Sequence, residues 1–321
     1  MVSIAPPSRN GPPAEPGPAP APRKPRRRLG RISIDFLPDA WREVAHGLLR
    51  QAVKAERAVN PNATAVTLSE RGHAVFPGRP YAIFVVFNLQ PRVPRYVRAH
   101  IEALAARRIN TIVVSNNRRL PGSEVARLLP HCYAYLARFN LGYDFGAYRD
   151  GLVWLTTADG PVDNAVFFMN DSVLGPFGDY GRLLENVAAE ERPVLFGLTD
   201  SLEHRYHLQT YWFAISAAGM RNPRVLRYWR RMPYSRNKQE AIAKRELRLT
   251  NDLTRAGLAG EIFFDYTRLQ QVAIDYFDKL MARAAGHVGE LDTGLAAPFE
   301  DQLMVRARIY QPILRMLVSG T

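Results

Sequence analysis

Polar side chains that are able to take part in chemistry follow five apolar, strand-like runs of this sequence. They are Asn88 after the first run, Ser115, Asn116 and Asn117 after the second, residues 140–144 after the third, Asn170, Asp171 and Ser172 after the fourth, and residues 199–201 after the fifth. Ligands of open α/β sheets bind outside the carboxyl ends of the strands, so these side chains should share one edge of a sheet. Amides, hydroxyls and single carboxylates suit a polar ligand such as a sugar nucleotide, and no Cys or His pair has zinc-ligand spacing.

A second candidate is the run HLQTYWFAIS, in which His207, Gln209 and Tyr211 alternate with less polar residues. As one strand, it would carry an imidazole, an amide and a phenol on a single face. An edge strand with one solvated face is the alternative interpretation.

The third candidate is Glu246, which falls on an apolar helical stripe. Ile242, Glu246, Leu249 and Leu253 recur at steps of four, three and four, and Gly257 should end the helix. A carboxylate on an apolar face must be paired, neutral or open to a cavity. A buried salt bridge and a site carboxylate that abstracts a proton both satisfy that condition.

The elements that must position these residues alternate between strand and helix. Apolar runs such as residues 81–87 are typical of strands buried on both faces, and amphipathic segments such as residues 94–108 follow them. Asp144 stands where the N-cap of the helix over 144–157 belongs. The alternation predicts an α/β sandwich whose central, mostly parallel sheet is flanked by helices. Walker, dinucleotide and G-x-S-x-G motifs are missing, which argues against P-loop NTPases, standard dehydrogenases and α/β-hydrolases.

The chain has 321 residues, 47% of them hydrophobic, which is enough for one large domain with appendages. Residues 1–31 form a Pro/Arg-rich tail that we expect to be disordered. Residues 32–80 should hold a helix over 39–59 and a Pro/Gly-punctuated connection. Residues 81–270 should form the main α/β domain, and residues 271–321 a helical extension.

The net charge is +13, and the tail contributes seven Lys/Arg against one acid. A solvated tail, attraction to an anionic membrane surface and nucleic-acid binding are the three interpretations of this charge. Nucleic acid is the least favoured, because no helix-turn-helix, zinc-finger or RNA-binding signature accompanies it. One cysteine, no apolar run that could span a membrane and no signal peptide lead us to expect a cytoplasmic protein, peripheral at the inner face of the cell membrane if the tail binds lipid.

Four segments in order resemble the rhamnan synthesis protein F family of glycosyltransferases, across residues 80–266. They are NLGYDFGAYRDGL (140–152), FFMNDSVLGPF (167–177), FGLTDSLEHRYHLQTYWF (196–213) and RELRLTNDLTRAGL (245–258). The resemblance implies a GT-A-like, Rossmann-type sandwich. It also implies transfer of rhamnose or a related sugar from a nucleoside-diphosphate donor to a cell-surface polysaccharide or glycolipid. A catalytically inactive binding or scaffold protein of the same fold is the alternative.

The position of the strand ends and the resemblance together lead us to predict roles for individual residues. Asn88, Ser115 and Asn116 would contact the donor nucleotide, and Gly142, Asp144, Asn170, Asp171 and Ser172 its diphosphate. His207 and Gln209 would lie near the donor sugar or the leaving group. Glu246 would be the base of an inverting hexosyltransferase, and Asp171 is the second residue that we predict to be catalytic. Asn170-Asp171-Ser172 takes the place of a D-x-D motif, so one carboxylate is missing there. Asp171 and Asp144 could still hold Mg²⁺ or Mn²⁺, and metal dependence stays open.

Overall fold

The computed structural model describes residues 39–275, apart from residues 89, 118–119, 173–180, 269 and 272–273. The chain divides into two compact units, Met1–Ala45 and His46–Thr321. Of the first unit only residues 39–45 are described, and they begin helix α1 (Asp39–Val59). The prediction for the tail over 1–31 lies outside the described residues, and so does the prediction for the extension over 271–321 from residue 276 onward.

The remaining elements belong to the second unit. The strands are β1 (Val66–Arg71), β2 (Tyr81–Val86), β3 (Asn110–Ser115), β4 (Ala134–Arg138), β5 (Val166–Asn170), β6 (Val194–Ser201), β7 (His207–Leu208), β8 (Trp212–Ile215) and β9 (Ala259–Phe264). The helices are α2 (Arg95–Ala106), α3 (Gly122–Leu128), α4 (Tyr143–Ala158), α5 (Gly181–Ala189), α6 (Ala217–Arg221), α7 (Pro223–Arg231), α8 (Lys238–Ala241) and α9 (Leu247–Arg255). A 3₁₀ turn, Leu129–His131, follows α3, and a π-helical turn, Ile242–Glu246, separates α8 from α9.

The strands form one mixed sheet in the order β1-β4-β3-β2-β5-β8-β6-β7, with β9 beside β6. Strands β2, β3, β4 and β5 pair in parallel, and so do β6 and β9. Strand β8 is antiparallel to both β5 and β6, which makes β6 parallel to β5. Strands β1 and β7 pair antiparallel with their neighbours at the two ends of this order. Since most of the described strands therefore run in one direction, the predicted α/β sandwich with a mostly parallel sheet is confirmed.

Two apolar layers cover the two faces of the sheet. Alternate residues of β2 separate between them: Ile83 and Val85 face one layer, and Ala82 and Phe84 face the other. Helices α4, α7 and α9 supply the first layer, and α2, α3 and α5 the second. Gly151 lets α4 lie close to the sheet, because a Cβ there would stand 2.7 Å from Cγ2 of Ile83.

The structure corrects several local predictions. The connection over 60–80 contains β1, which pairs with β4, and β9 was not predicted. The predicted strand HLQTYWFAIS is broken at residues 209–211, so His207 and Tyr211 do not share one continuous strand face. The helix that carries Glu246 is interrupted by the π-helical turn, and Asp144 lies in the first turn of α4 instead of at its N-cap. Gly142 takes the N-cap position with φ 78°, a left-handed conformation that favours glycine.

Among the described residues, no helix is long and apolar enough to cross a bilayer.

Candidate functional site

The carboxyl ends of β2, β3, β4, β5 and β6 meet at one edge of the sheet, as predicted, and the loops there are tied together by amides. The Asn88 backbone N–H donates to Oδ1 of Asn117 over 3.0 Å, and Nδ2 of Asn117 donates to the Asn88 carbonyl. Ser115 ends β3, donates its hydroxyl proton to the Asn117 carbonyl over 3.0 Å and accepts the Asn117 N–H. Asn88 and Ser115 are therefore brought together through Asn117.

Asn116 faces inward from the same loop. It is 5% exposed, and its Oδ1 accepts a hydrogen bond from a guanidinium nitrogen of Arg138 over 2.5 Å. Its backbone N–H donates to the Val86 carbonyl at the end of β2. The side chain of Asn116 thus fixes the loop through Arg138, and its predicted contact with the nucleotide stays a prediction.

The next loops bring Asp144, Asn170 and Asp171 together. Asn170 ends β5, and its Nδ2 donates to Oδ2 of Asp144 over 2.9 Å. Asp171 accepts the Phe87 N–H over 2.8 Å, which joins the end of β5 to the end of β2. Gly142 reaches this point because it has no side chain: a Cβ would lie 3.0 Å from Cα of Tyr234. Gly142 therefore shapes the start of α4, and Asp144 carries the charge.

Electrostatics make Asp171 unusual. Burial, and then the negative charge of Asp144, raise the pKa of Asp171 to about 6, although the Phe87 N–H acts in the opposite direction. Burial also raises the pKa of Asp144, while the Asn170 amide and the charges of Arg138 and Lys238 oppose that shift. Two desolvated carboxylates that repel each other form a place where a proton or a cation is favoured.

Tyr148 of α4 is a buried phenol whose pKa responds to the charges of the three predicted carboxylates. It is completely buried, and its hydroxyl donates to the Thr210 carbonyl over 3.0 Å. Burial raises its pKa first, and the charges of Asp144, Asp171 and Glu246 raise it further. The charges of the three carboxylates therefore act on one phenol, although they come from α4, from the end of β5 and from the π-helical turn.

Glu246 is half-buried at the last residue of that turn. Its Oε1 accepts the hydroxyl proton of Thr210 over 3.3 Å, and no ion pair reaches it in the part of the chain that is described. The buried salt bridge that we kept as an alternative is thus not formed by described residues. We call Asp144, Tyr148, Asn170, Asp171, Thr210 and Glu246 the carboxylate cluster.

Three predicted residues lie beside this cluster without a described side-chain contact to its carboxylates. Ser172 is exposed, and its N–H donates to Oδ1 of Asn170 over 3.1 Å. His207 is 4% exposed, and its Nδ1 lies 2.8 Å from the Arg205 carbonyl. The Gln209 N–H donates to the Thr199 carbonyl, which closes the hairpin between β6 and β7.

The structure contains a set of buried charges that the sequence analysis did not predict. Arg138, Arg149, Asp150 and Tyr234 form what we call the arginine cluster, in which both arginines and the aspartate are 0% exposed. One oxygen of Asp150 accepts from Arg149 over 2.7 Å and from the Tyr234 hydroxyl over 2.6 Å. The other accepts from Arg138 over 2.9 Å and from the Ala65 N–H over 3.1 Å. The only signal was charge within otherwise apolar segments, AYLAR and GAYRDGL.

Arg138 connects this cluster to the ligand edge. Its three guanidinium nitrogens donate to Asp150, to Asn116 and to the Leu141 carbonyl. Asn116 and Leu141 belong to the loops that follow the carboxyl ends of β3 and β4. Arg138 therefore sets the position of two loops that carry predicted site residues.

Two further features of the described residues concern metal ligands and cavities. Among the described residues, no group of three or more His, Cys, Asp or Glu side chains is placed to bind a metal. A cavity of about 540 Å³ lies at the opposite edge of the sheet, where Pro80 and Ile109 precede β2 and β3. That cavity is not the site predicted from the strand ends.

The match to a known protein family covers the part of the chain that holds the carboxylate cluster. The family described as Rhamnan synthesis protein F matches residues 111–284, which is more than half of the chain. The uncharacterized protein y4gN of Sinorhizobium fredii is 27% identical over 243 residues, which are 72% of this chain and 58% of that protein. The virulence protein VirA of Vibrio anguillarum is 38% identical over 87 residues, 26% of each chain. The chain thus spans little more than half of the first relative and about a quarter of the second.

A solved structure, a putative nucleotide-diphospho-sugar transferase from Desulfovibrio desulfuricans, superimposes with a TM-score of 0.34 and 14% identity, over 59% of this chain and 81% of that one.

Proposed function

Because the chain belongs to the rhamnan synthesis protein F family, we propose that it is a glycosyltransferase of polysaccharide synthesis. It moves a hexose, rhamnose or a related sugar, from a nucleoside-diphosphate donor to a cell-surface polysaccharide or glycolipid acceptor. The observation that carries this proposal is the hydrogen bonding at the strand ends, where Asn170 joins Asp144 to the end of β5 beside Asp171. Thr210 joins Glu246 to Tyr148 of the same helix as Asp144. Asp144 and Asp171 thus lie where the parallel strands of an α/β sheet end, which is where such sheets bind ligands.

The donor diphosphate is proposed to lie against Asp144, Asn170, Asp171 and Ser172. Asp171 supports this role because its pKa is already raised to about 6, and the negative charge of a phosphate beside it would raise the pKa further. A carboxyl that takes up a proton on binding donates a hydrogen bond to a phosphate oxygen instead of repelling it. Asn88 and Ser115 line the neighbouring loop and are proposed to approach the nucleotide, with Asn116 holding that loop from behind.

A divalent cation fits the same place. Asp144 and Asp171 supply two carboxylates whose mutual repulsion a cation would relieve. Mg²⁺ and Mn²⁺ sites of this type use one or two carboxylates, and the substrate phosphates and water complete the shell. When bound, such an ion would neutralise charge on the diphosphate leaving group. The residues would then be Asp171 and Asp144, without a third protein carboxylate.

Glu246 is proposed as the base. Its carboxylate takes the proton from an acceptor hydroxyl as that oxygen forms a bond to the anomeric carbon of the donor sugar. The bond between that carbon and the diphosphate oxygen breaks, and the nucleoside diphosphate leaves with the electron pair. A single displacement of this kind inverts the anomeric configuration. Thr210 holds Glu246 through its hydroxyl, while Tyr148 holds the Thr210 carbonyl.

His207 and Gln209 are proposed to border the donor sugar from the hairpin between β6 and β7. His207 is fixed by the Arg205 carbonyl, so one ring nitrogen is committed to the backbone. Docking of residues 1–31 at the anionic inner face of the cell membrane stays a separate prediction, which liposome sedimentation would test.

The test of the proposed function is donor turnover in two isosteric variants. We expect Glu246→Gln to lower kcat by about 10²–10⁴-fold, because loss of a positioned general base has effects of that size. Asp171→Asn should lower turnover of the same donor and change its metal requirement. Release of nucleoside diphosphate from a panel of sugar nucleotides, with and without Mn²⁺, measures both effects.

Glu102→Gln is the matched control, since Glu102 is exposed on α2 and contacts no described residue of the carboxylate cluster. It should keep wild-type turnover. If both site variants turn the donor over at the wild-type rate while folded, the assignment of these two residues is wrong. Absence of donor binding at millimolar concentration in the wild-type chain would instead favour the catalytically inactive scaffold.

A further inference from the structure

A basic cavity of about 390 Å³ lies between the ends of α1 and α7. Four cationic side chains line it, from Lys54 and Arg57 of α1 and from Arg230 and Arg231 of α7, and its walls include Pro61 and Pro233. No carboxylate is among the described residues that line it, and no ion pair within the described part of the chain reaches any of the four cations. Four like charges therefore face one small volume that no carboxylate of the described residues lines.

Part of this charge has a structural explanation. Arg57 donates to the Met232 carbonyl over 3.1 Å and to the Arg230 carbonyl over 2.6 Å, so it caps the end of α7. Cations near a helix C-terminus also interact favourably with the helix dipole, which suits Arg230 and Arg231. Such capping requires one guanidinium, and among the described residues the charges of the other three side chains have no acceptor.

A second observation points to a missing acceptor. Nε of Arg230 is buried and has no hydrogen-bond partner in the structure. A buried donor that lacks an acceptor is costly, and native structures usually satisfy such groups with protein, water or ligand. The Arg230 side chain lines the cavity, so an anion bound there would lie near the guanidinium group.

We propose that this cavity binds a phosphate-bearing anion with two or more negative charges. Its volume lies within the range of about 300–1,000 Å³ that small-molecule sites occupy. Guanidinium groups match phosphate oxygens in bidentate geometry, and the flexible ammonium of Lys54 adds a point charge. The site is separate from the carboxylate cluster and does not depend on the proposed transferase activity. The phosphate belongs either to a soluble molecule or to a lipid headgroup.

The first experiment uses inorganic pyrophosphate as the probe and titration calorimetry of the full-length chain. The double variant Lys54→Glu/Arg231→Glu should weaken pyrophosphate binding by about tenfold or more, because two attractive charges become repulsive. Both side chains are exposed and form no described contact, so the fold should be retained. The neutral pair Lys54→Gln/Arg231→Gln should show a smaller loss in the same direction.

The matched control is Arg224→Glu/Arg227→Glu. These exposed arginines lie on the same helix, outside the lining of the cavity, and make the same change in net charge. We expect their pyrophosphate affinity to fall by less than that of the pocket variant, Lys54→Glu/Arg231→Glu, at 0.15 M salt, because exposed charges outside the cavity are partly screened. Pyrophosphate bound at the strand ends would remain in both double variants.

The second arm distinguishes the sources of the phosphate. Vesicles of phosphatidylcholine with phosphatidic acid replace pyrophosphate, and pure phosphatidylcholine vesicles are the blank. Loss of vesicle binding in the pocket variant, with retention in the control variant, assigns the phosphate to a lipid. Loss in the pyrophosphate arm alone assigns it to a soluble molecule. If the pocket and control variants match each other in both arms, the proposal is overturned.

Discussion

The arginine cluster and the carboxylate cluster differ in how many hydrogen bonds and counter-charges the protein supplies to their carboxylates. In the arginine cluster, each oxygen of Asp150 accepts two hydrogen bonds, and two guanidinium groups contact it. In the carboxylate cluster, Asp171 accepts the Phe87 N–H, and no cationic side chain of the described residues pairs with it. Asp150 is fully buried, and Asp171 is only partly covered.

The difference separates structural charge from charge kept for a ligand. Burial of an ion pair is tolerated when hydrogen bonds satisfy both partners, as at Asp150. A carboxylate whose pKa is raised to about 6 destabilises the fold when it is ionised, so its presence needs another reason. Binding of a donor diphosphate, directly or with a cation, supplies that reason. The same substitution of aspartate by asparagine should therefore have opposite effects in the two clusters.

The largest effect is expected for Asp150→Asn. The variant leaves two buried guanidinium groups without a counter-charge, and its amide presents hydrogen atoms to their N–H groups. Breaking a buried pair in this way costs about 3–5 kcal/mol of the free energy of unfolding. Urea denaturation followed by circular dichroism measures the loss.

Asp252→Asn is the matched control for that change. Asp252 lies 3.9 Å from Arg248, in a pair whose arginine is exposed, and such pairs contribute about 0–1 kcal/mol. If Asp150→Asn costs no more than this control, the arginine cluster is not a structural centre and the comparison fails.

A smaller effect of opposite sign is expected for Asp171→Asn. The folded-state pKa of Asp171 is about 6, above an unfolded value near 3.9. The wild-type chain should therefore lose stability as the pH rises from about 4 to about 6, and the loss should persist above pH 6. The asparagine variant stays neutral, and its Oδ1 still accepts the Phe87 N–H.

We expect the variant to be more stable than wild type by about 1–2 kcal/mol at pH 8 and equal to it near pH 4. Denaturation at both pH values in EDTA measures this difference. Addition of Mn²⁺ at pH 8 should stabilise the wild-type chain more than the variant if Asp171 helps to hold a cation. If the variant is less stable than wild type at pH 8, Asp171 is a structural charge of the same kind as Asp150.

The sequence was informative where local pattern and topology coincide. Continuous apolar runs predicted the parallel strands, and parallel strands necessarily bring the polar residues at their ends to one edge, so Asp144, Asn170 and Asp171 meet. The arginine cluster escaped because Asp150 is joined to Ala65 and Tyr234, both more than 80 residues away. No local pattern reveals such contacts.

The break in HLQTYWFAIS has a similar origin. Its alternation is that of one strand, but the Thr210 carbonyl and hydroxyl are held by Tyr148 and Glu246, on α4 and on the π-helical turn. These tertiary contacts fix a turn between β7 and β8 that strand periodicity does not predict.

The smallest effect on stability is expected for Glu246→Gln. Glu246 is half-buried, and its described hydrogen bond is a long one, 3.3 Å from Oγ1 of Thr210. Glutamine keeps an Oε1 that accepts this bond, so the free energy of unfolding should stay within about 0.5 kcal/mol of wild type. A structural carboxylate would behave like Asp150 and lose several kcal/mol. A carboxylate kept for chemistry should instead combine unchanged denaturation with the large loss of turnover proposed above. A loss of stability beyond 2 kcal/mol in urea would show that Glu246 holds the π-helical turn, and any loss of turnover would then follow from the altered fold.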